Sequence, residues 1–195
     1  MSWLNVPHQK QTKAGWCLPA CIAMIAAYWQ RNLKQAEIAR WLGVRGGGAP
    51  ASRVQRLAEY GFDVTYSTGS LSDLHTCLAH NVPVIVFVRT GELPYWNVDT
   101  PHAVIVAGIE GERAYLFDPA FDTAPVTVNV GDLMLAWSYF DYTYAVLRPS
   151  LLRLQQQAAE RTARFSIYDE IRSRNINAKP EDVEADIAAA IGDRD

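Results

Sequence analysis

No run of apolar residues in this sequence reaches the roughly 18–20 that a bilayer crossing needs. The opening MSWLNVPHQK also lacks the charged-then-apolar order of a signal peptide. Neither a membrane span nor a secretory leader is expected. Cysteine is scarce, three residues in 195, and an odd, small number argues against a disulfide framework. A reducing cytoplasm is the expected setting. Excess positive charge is missing too. With 18 Lys and Arg against 21 Asp and Glu, the net charge is −3, and no basic footprint exists for a nucleic acid or an anionic membrane. Internal repeats are absent, and the only low-complexity stretch is the short Gly46-Gly47-Gly48 loop. What the chain has in plenty is core material: 49% hydrophobic and 11% aromatic residues. That is too much for a disordered chain, and this length is ample for one buried core.

These averages conceal a break. Residues 1–149 hold 23 charged side chains, whereas the last 46 residues hold 16, and all six tryptophans precede Pro149. Large apolar groups are what offset chain entropy, so a core-building domain over 1–149 and a charged helical tail over 150–195 are expected.

Within the first domain, LPACIAMIAAYWQ from Leu18 to Gln30 is apolar on nearly every face, the mark of a central, buried helix. Pro19 falls in its first turn, where a missing N–H costs nothing. A second helix is expected over Leu33–Leu42, stopped by Gly43. A third starts with Ser52 as cap and stops at Gly61, and a short fourth runs over Ser72–His80, capped by Ser72 or Asp73. Phe62–Tyr66 reads as a strand. After Pro83 come short segments rich in Val, Ile, Tyr and Phe: Val84–Arg89, Ala103–Ile109, Ala114–Phe117, Val126–Val130 and Tyr142–Arg148. Asp132–Trp137 supplies one helical turn or two between the last pair. Gly91, Pro94, Gly111 and Pro119 punctuate these strands. Helices first and strands afterwards predict an α+β fold with an antiparallel sheet packed on the buried N-terminal helix.

Three residues then fall into a chemically meaningful order. Cys17 stands at the start of the apolar helix, where unpaired N–H groups and the helix dipole favour a thiolate. Cys21 sits inside the apolar run and Cys77 within the Ser72–His80 helix, and both read as small core residues. A nucleophilic cysteine needs a base, and of His8, His75, His80 and His102 only His102 opens a strand, at what would be the sheet rim. Asp118 closes the next strand. If the two strands form a hairpin centred on Gly111, Asp118 falls opposite Val104, on the face that carries His102. A two-residue turn would put them on opposite faces, so an odd loop or a bulge is required. So placed, Asp118 would orient the imidazole of a nucleophile–base pair. An oxyanion would need a side-chain amide besides the Cys17 N–H, with Gln11 or Gln9 as its source.

Gln11-Thr-Lys-Ala-Gly-Trp-Cys17-Leu-Pro-Ala-Cys21-Ile-Ala-Met24 resembles the Gln…Cys-Gly-x-Ala-Cys-x-x-Met signature of bacteriocin-processing cysteine peptidases. Those are papain-like domains that remove double-glycine leader peptides and are often fused to export transporters. Pro101-His102-Ala-Val-Ile-Val-Ala-Gly-Ile is similar to the family's histidine strand, and Leu116-Phe117-Asp118-Pro119 to its Asp-Pro end. The resemblance spans roughly residues 3–148. It implies a papain-like fold, with Cys17 as nucleophile, His102 as base, Asp118 as orienter and Gln11 as oxyanion donor. Trp16 and Leu18 depart from the family's Asp before and Gly after the nucleophile. No transporter domain accompanies the chain, so cleavage during export is not implied.

The expected activity is therefore a thiol hydrolase acting on a peptide amide through an acyl-thioester, with no metal or organic cofactor required. The loops Gly46–Pro50 and Gly91–Pro101 are expected to shape its cleft. The alternative is a non-catalytic papain-like binding module. In the tail, residues 150–164 extend as a helix with Leu151, Leu152 and Leu154. Pro180-Glu-Asp opens a second helix, along which Val183, Ile187 and Ile191 recur every fourth residue. This tail is similar to the acidic helical tails of some bacterial antitoxins, which implies a protein partner engaged through residues 150–195.

Overall fold

Nine consecutive buried residues, Leu18 to Ala26, run through α1 (Cys17–Tyr28). A helix without a polar face must be enclosed on all sides, and Ile22, Met24 and Ile25 lose all exposure. Each such side chain contributes about 1.5–3 kcal/mol on burial. The computed structural model that places them describes residues 3–151 and, beyond these, residues 155, 159, 162, 165 and 166.

After α1 come α2 (Gln35–Leu42), a 3₁₀ segment (Ala51–Tyr60), β1 (Phe62–Thr68) and α3 (Leu71–Ala79). They are followed by β2 (Val84–Arg89), a 3₁₀ turn (Thr90–Glu92), β3 (Pro101–Glu110), β4 (Arg113–Phe117), β5 (Val126–Asn129), α4 (Val130–Ser138) and β6 (Thr143–Pro149). The strands form one six-stranded sheet in the order β1-β6-β2-β3-β4-β5, every pair antiparallel. The α+β expectation holds, and the helix cover is more extensive than expected. Ile85, Phe87, Ala103 and Ile105 pack on the side of α1, α2 and the 3₁₀ segment. Val84, Val86, Val104 and Val106 pack against Leu74 of α3 and Leu133, Ala136 and Trp137 of α4. Burial on both faces explains why β2 and β3 read as continuous apolar runs rather than alternating ones.

Two helix caps differ from expectation, and α2 and α4 also start elsewhere, at Gln35 rather than Leu33 and at Val130 rather than Asp132. Pro50, not Ser52, holds the cap position of the third helical segment, without a side-chain bond. That segment is 3₁₀ because its apolar residues Val54, Leu57 and Tyr60 recur every third position, the 3₁₀ repeat. α3 is capped by Ser70, not by Ser72 or Asp73. Ser70 Oγ accepts from the Asp73 N–H, and Asp73 Oδ2 accepts from the Ser70 N–H at 2.7 Å. Asp73 is thus the third helical residue of a capping box.

The β3–β4 hairpin turns on Gly111 and Glu112, with Gly111 at φ +57°. From Glu110↔Arg113 to Gly108↔Tyr115 a two-residue register holds; beyond Ala107 it changes to Val106↔Leu116 and Ile105↔Phe117. Ala107 is the extra residue of a bulge, and the new register carries Asp118 to the level of Val104. The Ala107 carbonyl accepts a 2.8 Å bond from the Leu4 N–H, so the N-terminal segment supplies a partner at the bulge.

A second unit begins at Ser150. Its described residues Leu151, Gln155, Ala159, Thr162, Phe165 and Ser166 are helical. The expected helix at Pro180 and the stripe Val183, Ile187, Ile191 lie outside the described residues, as does the proposed partner-binding face they would form. No helix among the described residues is long and apolar enough to cross a membrane.

Candidate active site

Cys17 is the first residue of α1, preceded by Trp16, which offers no side-chain cap. Its sulfur therefore lies among the unpaired N–H groups of the first turn, at the positive end of the helix dipole. Burial pushes the thiol up. A hydrogen bond and charge from His102, with the backbone N–H groups of Ala103 and Leu18, outweigh that effect, and the net direction is down from 9.0. The chemistry of Cys21 is reversed. Its Sγ donates to the Ala103 carbonyl at 3.3 Å, and full burial drives its pKa well up, so it stays a thiol. One residue, Ala103, thus helps lower the Cys17 thiol through its N–H and takes the Cys21 thiol proton's hydrogen bond through its carbonyl. Cys77 is also shifted upward, by burial first.

His102 is the second residue of β3, pairs with Val88 of β2 and is only 7% exposed. Its Nε2–H donates to Asp118 Oδ1 at 2.7 Å, which leaves Nδ1 for Cys17. Burial opposes the imidazolium, but Asp118 and Cys17 together raise the pKa from 6.5 to about 9. Asp118 has no exposed surface. A bare buried carboxylate would take up a proton, yet this one is lowered, because donors surround it. Besides His102, Oδ1 accepts from the Ala120 N–H at 2.9 Å. Oδ2 accepts from the Tyr95 hydroxyl and from Trp96 Nε1–H, each at 2.9 Å.

Tyr95 and Trp96 were not singled out in the sequence. Trp96 also meets the His102 ring edge to face, with centroids 4.9 Å apart, and Phe121 packs edge-on against both aromatics. Their loop is pinned by buried Thr90, which bonds Thr100 through both backbone and side chain, and by an Arg89–Asp99 ion pair. The available signal was chemical. Adjacent Tyr and Trp in a polar loop carry an O–H and an N–H that require partners once buried.

A cleft of about 370 Å³ opens over Cys17 and His102. Gln11 lines it and Gln9 does not, which separates the two candidate amides. Asp118 lies behind His102, away from the cleft surface. Phe87 and Phe140 contribute to its lining, and both loops expected to shape it do so, through Gly47–Pro50 and through Trp96, Thr100 and Pro101. The first loop lies directly on the residues before Cys17. A Cβ built on Gly15, at φ +75°, would stand 2.8 Å from the Gly48 nitrogen. Among the described residues the lining holds no Asp, Glu, Lys or Arg. No three His, Cys, Asp or Glu side chains among them are grouped as metal ligands.

The model of the peptidase C39-like family matches residues 3–145. No curated protein sequence matches. Among solved structures, a protein from Bacillus anthracis described as C39-like is 18% identical, with TM-score 0.62, over 77% of this chain and 100% of its own. A double-glycine-motif protease of an AMS/PCAT transporter, solved with its leader peptide, is 20% identical, with TM-score 0.60, over 76% and 95%. The peptidase domain of Streptococcus ComA, a bifunctional ABC transporter of a quorum-sensing pathway, is 17% identical, with TM-score 0.58, over 77% and 100%. At these identities the likeness is one of fold.

Proposed function

The chain belongs to the peptidase C39-like family, and from that membership we propose that it cleaves a peptide amide bond with Cys17 as nucleophile. One observation carries this reading: Cys17, its thiol lowered, and His102, its imidazole raised, share the wall of one cleft, and the buried Asp118 carboxylate holds His102 from behind at 2.7 Å. The Cys17 thiolate attacks the scissile carbonyl carbon, forming the C–S bond. The resulting oxyanion takes hydrogen bonds from the Cys17 N–H and the Gln11 side-chain amide. His102 Nδ1–H protonates the leaving nitrogen as the C–N bond breaks, leaving a thioester. Neutral His102 then accepts a proton from water, whose oxygen attacks the thioester and regenerates the thiolate. Asp118 keeps the imidazole in one tautomer and orientation throughout and is a positioning residue.

A peptide substrate is supported by the relative solved with its leader peptide. Away from Cys17 and His102 the lining holds no Asp, Glu, Lys or Arg among the described residues, which supports an uncharged segment on either side of the cleaved bond. Three free cysteines fit a reducing compartment such as the cytoplasm.

Iodoacetamide near neutral pH tests the nucleophile. Fast labelling confined to Cys17, and abolished in His102→Ala, is expected; slow, equal labelling of Cys17, Cys21 and Cys77 refutes the assignment. Incubation with a peptide digest, read by mass spectrometry for new termini that Cys17→Ala does not produce, tests the reaction itself.

A further inference from the structure

Gln35 opens α2, yet it is only 8% exposed. A buried primary amide is costly unless bonded at both ends, and this one is. Its Oε1 accepts from the Thr12 N–H at 2.9 Å and from the Thr12 hydroxyl at 3.2 Å; its Nε2 donates to the Lys10 carbonyl at 2.8 Å. Those backbone groups flank Gln11 on both sides. Gln11's own N–H points elsewhere, to the Pro119 carbonyl at 2.7 Å. The same strip is tied to the loop after Asp118 by His8 Nε2 and the Phe121 carbonyl at 2.9 Å, and by Lys10 and Asp122 at 2.8 Å. Residues 8–12 are thus held between α2 and the loop that follows Asp118.

The Gln11 side chain has no comparable restraint. Its Oε1 is buried without a hydrogen-bond partner among the described residues, so the direction of the amide is set by the backbone that carries it. We infer that Gln35 is a positioning residue that grips Lys10 and Thr12 so that the Gln11 amide meets the oxyanion. This rests on the reading of Gln11 as oxyanion donor. A donor must come within about 2.7–3.1 Å of the developing charge, and a misplacement of about 1 Å costs up to about 10²-fold in rate.

Two reactions of the same sulfur separate this role from general support. With p-nitrophenyl acetate the thiolate adds to a carbonyl, an oxyanion forms, the C–S bond is made, and p-nitrophenolate leaves with its electron pair. With iodoacetamide the thiolate displaces iodide from a saturated carbon, and no oxyanion arises. Gln35→Met removes both ends of the grip while keeping the side chain's length. Its p-nitrophenolate burst is expected to slow by about 10–100-fold, while iodoacetamide labelling of Cys17 stays within about twofold of the parent. Because Gln35 acts through Gln11, the Gln11→Ala/Gln35→Met double variant should be no slower in the burst than Gln11→Ala alone. Should Gln35→Met fail to fold, Gln35→Glu, which keeps the acceptor for Thr12 and loses the donor to Lys10, reads the same ratio with a smaller loss.

An unchanged burst in a folded Gln35 variant, equal slowing of both reactions, or multiplicative losses in the double variant overturns the inference. Failure of the underlying reading looks different: Gln11→Ala acylates at the parent rate, or the parent's label is not confined to Cys17.

Discussion

Asp118→Asn removes one negative charge from a site built around it. The carboxylate takes four donors, two on each oxygen, at 2.7–2.9 Å. Asparagine of the same shape offers one oxygen and one NH₂. If its oxygen stays with Tyr95 and Trp96, the NH₂ confronts His102 Nε2, and the imidazole must turn Nε2 into an acceptor, moving its proton to Nδ1. If the oxygen faces His102, the NH₂ confronts Tyr95 and Trp96. Either way the negative charge that holds the imidazolium is lost, burial still pushes His102 down, and with only Cys17 left to raise it the pKa falls from about 9. A fall all the way back to the ordinary 6.5 corresponds to roughly 3 kcal/mol. At that value the imidazolium, nearly complete in the parent at pH 7.5, drops to about a tenth of the molecules. Cys17 then loses its main stabilising partner, and burial raises the thiol. Iodoacetamide labelling of Cys17 between pH 6.5 and 7.5 should slow by about 10²-fold. The rate should rise only as the pH approaches that of a free thiol or higher, whereas the parent reaches its plateau earlier. Labelling is read by mass spectrometry of the Cys17 peptide across pH 5–10. If Asp118→Asn labels at the parent rate with the parent midpoint, Asp118 does not hold His102 in its charged form.

Two further substitutions test what surrounds that site. Tyr95→Phe deletes one of the two donors on Asp118 Oδ2 and leaves the His102 bond in place. Urea unfolding should report a loss of about 1–3 kcal/mol, with Cys17 labelling changed only a few-fold; unaltered stability would mean that the hydroxyl contributes nothing to the carboxylate. Gly15→Ala would force a Cβ to 2.8 Å from the Gly48 nitrogen and 2.9 Å from the Gly47 carbonyl carbon, at a φ that L side chains rarely adopt. A loss of about 2 kcal/mol or more is expected in the same assay, and a loss under about 0.5 kcal/mol would show that the Gly47–Gly48 loop yields freely.

The layers of the fold were legible because burial leaves a one-dimensional trace. α1 is apolar on every side, β2 and β3 are apolar without alternation, and glycines and prolines separate the strands. Cys17, His102 and Asp118 were legible because each stands at the end of an element, where a polar side chain interrupts an apolar run. Gln35, Tyr95 and Trp96 carry no such mark. Gln35 reads as an ordinary first-turn residue until the partners of its amide are known, and those lie on a segment more than twenty positions earlier. The Ser70 cap was hidden by its neighbours, since Ser72 and Asp73 are equally good caps by residue type. Only the reciprocal bonds between Ser70 and Asp73 decide among them.

An odd loop or a bulge was required by the sequence, which neither chose between them nor located the bulge, and the reason is physical. Placing Asp118 beside His102 demands a one-residue change in a hairpin whose tightest turn would set them on opposite faces. The change falls at Ala107, followed by Gly108, small residues whose side chains give no preference for that point over another. A bulged residue leaves the ladder, and the Ala107 carbonyl takes its hydrogen bond from Leu4, at the far end of the chain. Further along the same N-terminal segment, the Gln11 N–H holds the carbonyl of Pro119, the residue after Asp118. Residues 4–11 therefore contact both the device that sets the register of Asp118 and the loop that follows it, while carrying Gln11 to the cleft. Docking of that segment couples the carboxylate to the amide, which is why a local reading of either residue finds a candidate but not the link between them.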